Sequence, residues 1–182
     1  MVYNQQPGAV PQMSINRNVL NKPYNHNNER PWSHGLFTCF GDCSTCFVSW
    51  LCPCIIWSQN KSRLEYLEHT GQPHPDGGES FGNDCLIHGV LTACGGLGWV
   101  LQIGTRTSTR ERYRIEGNPV KDCFASWCCH ACELTQESRE LELEETNLRE
   151  NRMQSMMREH DMPGQDSPPH VDLPVPPKAY KA

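Results

Sequence analysis

The chain has 182 residues, 37% of them hydrophobic and 20% charged, which is enough for one domain with tails. Its net charge of -5 is concentrated between Glu133 and Asp161, where nine acidic residues outnumber four arginines. The remainder has no basic stripe, which argues against nucleic acid as the main partner.

Both ends of the chain are polar. Residues 1–30 are rich in Asn and Gln, and residues 161–182 are rich in Pro. Such segments bury too little apolar surface to offset their ordering entropy, so we predict that both tails are disordered. We expect a cysteine-rich domain at residues 31–148 and a continuation of its last helix at residues 149–160.

The chain contains eleven cysteines, and its N-terminus has no charged segment followed by an apolar one, so we expect no secretory signal. In a reducing compartment disulfides are rare, and clustered cysteines indicate metal binding or catalysis. An odd number also leaves one cysteine outside any complete intramolecular pairing. A disulfide framework is therefore the weaker interpretation.

The first helical segment begins with CFVSWLCPC at residues 46–54. The spacing of Leu64 and Leu67 predicts a helix from Ser58 that closes at Gly71. Pro53 is expected to kink or start this helix, because it lacks an N–H donor and clashes with the preceding turn. A turn-rich linker, GQPHPDGGESFGND, follows.

Residues 85–104 (CLIHGVLTACGGLGWVLQIG) contain no Asp, Glu, Lys or Arg and are about as long as a membrane-spanning helix. Four arginines follow in TRTSTRERYR. By the positive-inside tendency they would be cytosolic, as would both termini if residues 46–57 also enter the membrane. We therefore expect one helix at residues 85–104, in a membrane. The alternative is a buried core helix in a cytoplasmic protein.

A second copy of the cysteine cluster, CFASWCC, occupies residues 123–129. We expect the Phe and Trp residues of the two copies to pack together. We also expect four cysteines to draw near each other: Cys52, Cys54, Cys129 and Cys132. Cys54 corresponds in register to Ala131, one place before Cys132, so the Pro53 kink must compensate for this slip if both copies bind one metal.

An acidic helix is predicted from Glu133 to His160. Leu134, Leu141 and Leu148 are seven residues apart, but the other core heptad position is polar, which favours a long solvated helix over a strong coiled coil. Such a helix would be available to a protein partner, and a transport pathway would require homo-oligomers. The predicted fold class is mostly α, a small Cys-rich domain of about three helices.

The cysteines and one histidine are candidate ligands for a divalent metal. Zinc takes four convergent thiolate or imidazole ligands, and helix residues three or four apart share a face. The candidate metal ligands are Cys39, Cys43, Cys46, Cys52, Cys54, Cys85, His88, Cys123, Cys128, Cys129 and Cys132. We expect zinc, as a structural or a transported ion. Alternatively, these cysteines are small buried hydrophobic residues or acylation sites.

No catalytic site is expected, and we predict that the protein is not an enzyme. Cys129–His130 and Cys54–His88 are the Cys/His pairs that could be drawn. Adjacent residues on a helix point apart, however, and no Asp or Asn is placed to orient the imidazole.

Three stretches together resemble the placenta-specific-eight cysteine-rich family: WSHGLFTCFGDCSTCFVSWLCPC, TRTSTRERY and DCFASWCCHACELTQESREL. That family includes plant cadmium-resistance and cell-number-regulator proteins, and the resemblance covers residues 32–141. The CPC of the family signature is kept at residues 52–54, whereas Thr135 stands where a cysteine often stands. The resemblance implies membrane association, often at the plasma membrane. It also implies roles in heavy-metal tolerance, efflux, calcium influx or cell-number control, and no defined catalysis.

Two functions are compatible with these observations. The first is a membrane-associated, Cys-rich protein that binds zinc or cadmium through thiolates, which suit soft or borderline ions. The second is a soluble or peripheral interaction module in which zinc holds the fold and the acidic helix at residues 133–160 contacts a partner.

Overall fold

A computed structural model describes residues 17–160. The elements in this range are a 3-10 helix (Leu36–Asp42) and six α-helices: α1 (Cys43–Leu51), α2 (Pro53–Thr70), α3 (Asn83–Gly95), α4 (Gly98–Tyr113), α5 (Pro119–Cys128) and α6 (His130–His160). The mostly α class is confirmed, but three helices was an undercount. Residues 1–16 and 161–182 of the predicted tails lie outside the described residues.

The sequence repeat corresponds to two copies of one helix–break–helix unit, α1–α2 and α5–α6. Both breaks occur at a cysteine with almost the same backbone angles, φ -137° and ψ 71° at Cys52 and φ -145° and ψ 74° at Cys129. Each of these cysteines still donates its N–H to the carbonyl one turn earlier, Val48 in the first copy and Ala125 in the second. Pro53 starts α2, as predicted, because a missing N–H is harmless in the first helical turn.

The apolar run at residues 85–104 is not the single helix that we predicted. α3 ends at Gly95, and Gly96 adopts a left-handed conformation (φ 63°) before α4 begins at Gly98. The glycines decide this break, since a left-handed residue without a Cβ is the usual end of a helix. Gly98 also packs directly against the side chains of Thr92 and His88, which leaves no room there for a side chain.

The division of the apolar run into two short helices bears on whether this run can cross a membrane. Within residues 17–160 no single helix is both long enough and apolar enough to cross a bilayer. One bent pair, Leu36–Leu51 with Pro53–Thr70, meets the length and composition criteria together, with an angle of 114° between its two parts.

Equivalent positions of the two copies meet where α2 packs on α6. Trp57 lies in the same core cluster as its counterpart Leu134. Leu64 lies in a second cluster with its counterpart Leu141. We call this line of contact the seam: positions 57, 60, 64 and 67 of α2 and 134, 137, 141 and 144 of α6. Its alternating spacing of three and four is the spacing by which two helices keep one face together.

The first half of α6 is buried, which corrects the prediction of a solvated helix. Five glutamates are at most 3% exposed: Glu133, Glu137, Glu140, Glu144 and Glu145. The sequence pattern predicts that these glutamates face solvent, because acidic side chains are seldom fully buried unless they are paired. Only the second half of the helix, after Glu145, is largely exposed.

Residues 17–30, which composition assigns to the N-terminal tail, pack against the helices. The N–H of Arg30 donates to the Arg114 carbonyl at 2.7 Å, and the N–H of Glu116 donates to the Arg30 carbonyl at 2.8 Å. The Arg30 guanidinium lies 2.6 Å from Glu140 on α6. This segment therefore ties the end of α4 to α6.

Candidate functional site

One group of sulfur atoms lies where the 3-10 helix and α1 meet the start of α6. The Sγ atoms of Cys39 and Cys132 are 3.5 Å apart, and both side chains are buried. Cys132 forms a disulfide with Cys129, at the break between α5 and α6. Burial and the neighbouring Cys39 thiol raise the pKa of Cys46. The structure thus brings together four of the predicted ligands, Cys39, Cys46, Cys129 and Cys132.

A second group of sulfur atoms lies between the first copy and α3. Burial, followed by the Cys54 thiol and then Cys52, raises the pKa of Cys85 to about 11. Cys54 also lies against α3, since its Sγ is 3.9 Å from the position that a Cβ on Gly89 would take. The CPC segment therefore contacts α3, whereas Cys129 and Cys132 belong to the first group. The prediction that these four cysteines draw near each other gains no support from these contacts.

His88 is used inside the core. Its Nε2 lies 3.1 Å from Nε2 of Gln102, and its ring lies 5.0 Å from that of Trp57. Burial lowers the pKa of His88 to about 4, with a smaller contribution from His130, so the ring is neutral near pH 7. These contacts occupy the imidazole without involving a thiol.

The remaining candidate ligands are dispersed. Cys43 and Cys128 are exposed, Cys123 is half-buried, and the Cys43 thiol donates to the Phe40 carbonyl. Cys94, which the sequence analysis did not select, is exposed near the end of α3. Across residues 17–160, no group of three or more His, Cys, Asp or Glu side chains is arranged to hold a metal ion.

The repeated Phe and Trp residues do not form the expected core. Phe47 contacts Trp50 and Phe124 contacts Trp127, each at 6.4 Å between ring centroids and each within its own copy. All four side chains are at least 59% exposed. α3 adds further exposed apolar side chains: Leu86, Ile87 and Val90. Exposed apolar residues on this scale mark a surface that meets a membrane or another protein.

The buried glutamates of α6 divide into two sets. The C-terminal set is fully paired: Glu140 binds Arg30, Glu144 binds Arg112 and the Tyr113 hydroxyl, and Glu145 binds Arg63. The N-terminal set, Glu133 and Glu137, accepts no hydrogen bond from any other residue within residues 17–160, and its two carboxyl groups share one with each other. We call these two residues the glutamate pair. Sequence reasoning missed it, although the polar heptad positions were visible.

The electrostatics of the glutamate pair follow from burial. Desolvation raises the pKa of Glu133 to about 7, although the positive charge of Arg106 opposes the shift. Desolvation and the neighbouring Glu133 raise the pKa of Glu137 well above its usual range. Both residues are 0% exposed. Two buried carboxylates this close cannot both be ionised without a compensating charge.

The fold and the arrangement of thiols define a small, all-helical, cysteine-rich protein built from two copies of one helix–break–helix unit. The PLAC8 family model matches residues 32–140, and the chain belongs to this family. The resemblance drawn from the cysteine motifs is thereby confirmed.

Two plant proteins are similar in sequence to this chain. Protein PLANT CADMIUM RESISTANCE 2 from Arabidopsis thaliana is 30% identical over 113 residues, covering 62% of this chain and 68% of the relative. Cell number regulator 10 from Zea mays is 29% identical over 110 residues, covering 60% and 64%. The chain thus spans about two thirds of the length of these relatives. No solved structure matches the chain.

Proposed function

We propose that the protein is a membrane-associated, Cys-rich protein that binds a divalent metal such as zinc or cadmium through thiolates and contributes to metal tolerance or transport. The metal part is carried by Cys39 and Cys132, whose Sγ atoms are 3.5 Å apart, with Cys46 and the disulfide-bonded Cys129 beside them. In the oxidised state described above these residues are not arranged as a metal site. Two relatives whose names refer to cadmium resistance also support a role in metal tolerance. The proposal includes no catalytic step.

The proposed ligand set requires the reduced protein. A cellular dithiol would reduce the Cys129–Cys132 disulfide, releasing two thiols while its own two thiols become a disulfide. The metal would then displace the thiol protons, since thiolates are the ligands. Four thiolates are a common zinc set and also suit softer ions.

Metal titration of the reduced full-length chain tests this proposal. We expect about one tightly bound Cd²⁺ or Zn²⁺ per chain, with the thiolate charge-transfer absorption that Co²⁺ gives at such sites. Cys39→Ser and Cys132→Ser should abolish that absorption, whereas Cys94→Ser, at an exposed cysteine outside the group, should retain it. Helical circular dichroism verifies that each variant folds. Absence of binding above trace in the reduced, folded wild-type protein would refute the metal part.

The exposed aromatic residues of α1 and α5 support the membrane part of the proposal. Trp and Phe side chains with one face in water are favourable at a bilayer interface, where short helices lie in the plane of the membrane. We propose attachment at the plasma membrane, with both termini on the cytosolic side. A cytoplasmic location is the alternative.

Vesicle flotation tests the membrane part. Trp50→Ser combined with Trp127→Ser should release the protein from the vesicles. Met156→Ser, which alters an exposed apolar side chain near the end of α6, should not. If the double variant floats as the wild type does, the aromatic residues are not the attachment surface. Extraction with alkaline carbonate then separates peripheral from integral association.

A second candidate function is a zinc-stabilised interaction module without transport activity. It is favoured by the far end of α6, where Met153, Met156 and Met157 are all more than half exposed. Flexible Met side chains suit protein partners or a second copy of the chain. Sedimentation of the wild type beside Met156→Ser/Met157→Ser tests self-association through this end. An unchanged mass distribution for the two proteins excludes these residues as a homo-oligomer contact.

A further inference from the structure

A polar layer interrupts the seam between α2 and α6. The apolar layers on either side hold Trp57 with Leu134 and Leu64 with Leu141. The equivalent positions between them are Asn60 and Glu137, which the spacing of the seam places at one level. Asn60 is fixed there, because its Nδ2 donates to the Leu134 carbonyl at 3.0 Å.

Apart from a hydrogen bond that the two glutamates share with each other, five oxygen atoms of this layer have no hydrogen-bond donor in the described part of the chain. They are both carboxylate oxygens of Glu133, both of Glu137, and Oδ1 of Asn60. All three side chains are 0% exposed. Glu133 and Glu137 are one helical turn apart, so their carboxylates share one face of α6. The Asn60 amide, held over the intervening Leu134, adds a neutral oxygen from the facing helix.

Two donors of the neighbouring Arg106 are engaged elsewhere, while its Nη1 is buried with no acceptor in the described part of the chain. Arg106 donates from Nε to Asp122 at 3.1 Å and from Nη2 to Gln136 at 3.0 Å. Arg110 donates to the other oxygen of Asp122 at 2.7 Å. Neither guanidinium donates to Glu133 or Glu137. Carboxylate oxygens buried without donors are strongly unfavourable, and a bound cation is one of the few groups that satisfies several of them together.

We propose that Glu133, Glu137 and Asn60 form an internal binding site for a hard divalent cation such as Ca²⁺, Mg²⁺ or Mn²⁺. The donor atoms are all oxygen, which selects these ions over the softer ions that thiolates prefer. Two carboxylates neutralise the charge of the ion, and water completes its coordination. The proposed ligands are oxygen atoms and include none of the sulfur atoms of the proposed thiolate site, so the proposal does not depend on that site, although Glu133 directly follows Cys132.

Mn²⁺ binding to the full-length chain tests the proposal, because Mn²⁺ is detected by electron paramagnetic resonance and prefers oxygen to sulfur ligands. We expect one Mn²⁺ per chain, displaced by excess Ca²⁺ or Mg²⁺. Glu133→Gln and Glu137→Gln should each weaken binding by at least about tenfold, since each removes a charged ligand. Glu142→Gln, an exposed residue on the same helix, should bind as the wild type does.

A second measurement needs no variant. In the wild-type protein, Mn²⁺ should broaden the methyl NMR signals of Leu134 and Leu141, which flank the layer, before those of exposed leucines such as Leu86. Failure of the wild type to bind Mn²⁺ overturns the proposal. So does binding that both glutamate variants retain, or broadening confined to surface signals, because the ion would then be held elsewhere.

Discussion

The buried face of α6 has two halves, which we call the near half (Glu133 and Glu137) and the far half (Glu140, Glu144 and Glu145). Both halves consist of buried glutamates, but these glutamates have different neighbours. Glu140, Glu144 and Glu145 each accept hydrogen bonds from an arginine. Glu133 and Glu137, two turns and one turn before Glu140, accept none from an arginine within residues 17–160. The difference shows that the far half uses its carboxylates to hold the helices together. The near half has carboxyl groups to which no arginine donates a hydrogen bond, although the charge of Arg106 acts on both.

The origin of the donors explains the difference. Arg30 comes from the segment before the helices, and Arg63 and Arg112 come from the far parts of α2 and α4. At the near end the two arginines of α4 that face inward, Arg106 and Arg110, both bind Asp122 on α5. One carboxylate thus accepts from both arginines, while Nη1 of Arg106 stays buried without an acceptor in the described part of the chain.

The largest effect on unfolding free energy should come from the far half, where each glutamate is paired with an arginine. Glu140→Ala leaves Arg30 buried without its partner and removes the acceptor of the Ser33 N–H at 3.0 Å. Breaking one side of a buried ion pair costs about 3–5 kcal/mol of unfolding free energy. Urea denaturation measures it. Glu142→Ala, an exposed matched control, should change stability by less than about 0.5 kcal/mol. Equal effects of the two changes would contradict the comparison.

A change in the near half should have the opposite sign. In EDTA at neutral pH, Glu137→Gln replaces a carboxyl group that must take up a proton on folding with a neutral amide, so we expect a gain of about 1–2 kcal/mol in unfolding free energy. The same urea experiment measures this gain. A loss comparable to that of Glu140→Ala would show that Glu137 has a structural partner. Added Ca²⁺ should raise the unfolding free energy of the wild type by about the same amount, whereas it should leave that of the variant unchanged.

The near half should also govern the response to pH. The folded-state pKa values of Glu133 and Glu137 lie above the ordinary value of 4.5, Glu133 at about 7. The folded protein therefore holds protons that the unfolded chain releases. Their stabilisation is complete below about pH 4.5 and is lost as pH rises through 7, by up to about 1.4 kcal/mol per pH unit for each proton.

Melting curves in EDTA across this pH range measure the slope. Glu133→Gln/Glu137→Gln should flatten it, and Glu142→Gln should leave it unchanged. Because the lowered pKa of His88 works in the opposite direction, the difference between the wild type and the double variant is the test, and identical slopes for the two proteins would contradict the assignment to this pair.

The smallest effect on unfolding free energy should come from a surface contact beside the far half. Arg149 lies 3.8 Å from Glu145 but is 55% exposed. Because solvent screens such a pair, Arg149→Ala should cost only about 0.3–0.5 kcal/mol. Arg63→Ala, which removes the buried partner of the same glutamate, should cost several times more in the same denaturation experiment. Comparable losses would show that burial does not separate the two contacts.

Much of the architecture could be predicted from local chemistry. Pro53 and Gly71 bound α2 because one lacks an N–H and the other tolerates a left-handed conformation. The repeated cysteine cluster correctly indicated two copies of one unit. Hydropathy does not reveal the break at Gly96, because the apolar run continues on both sides of the glycines that end α3.

The sequence by itself determined the helical class, the repeat and the family. Only the tertiary structure decided which charges are buried. An acidic residue at a seam position has the same local pattern as one in solvent, and its burial depends on arginines more than thirty residues away, such as Arg30 for Glu140 and Arg112 for Glu144. Local propensity carries no information about such distant donors. For the same reason it could not show that Glu133 and Glu137 would be buried without them.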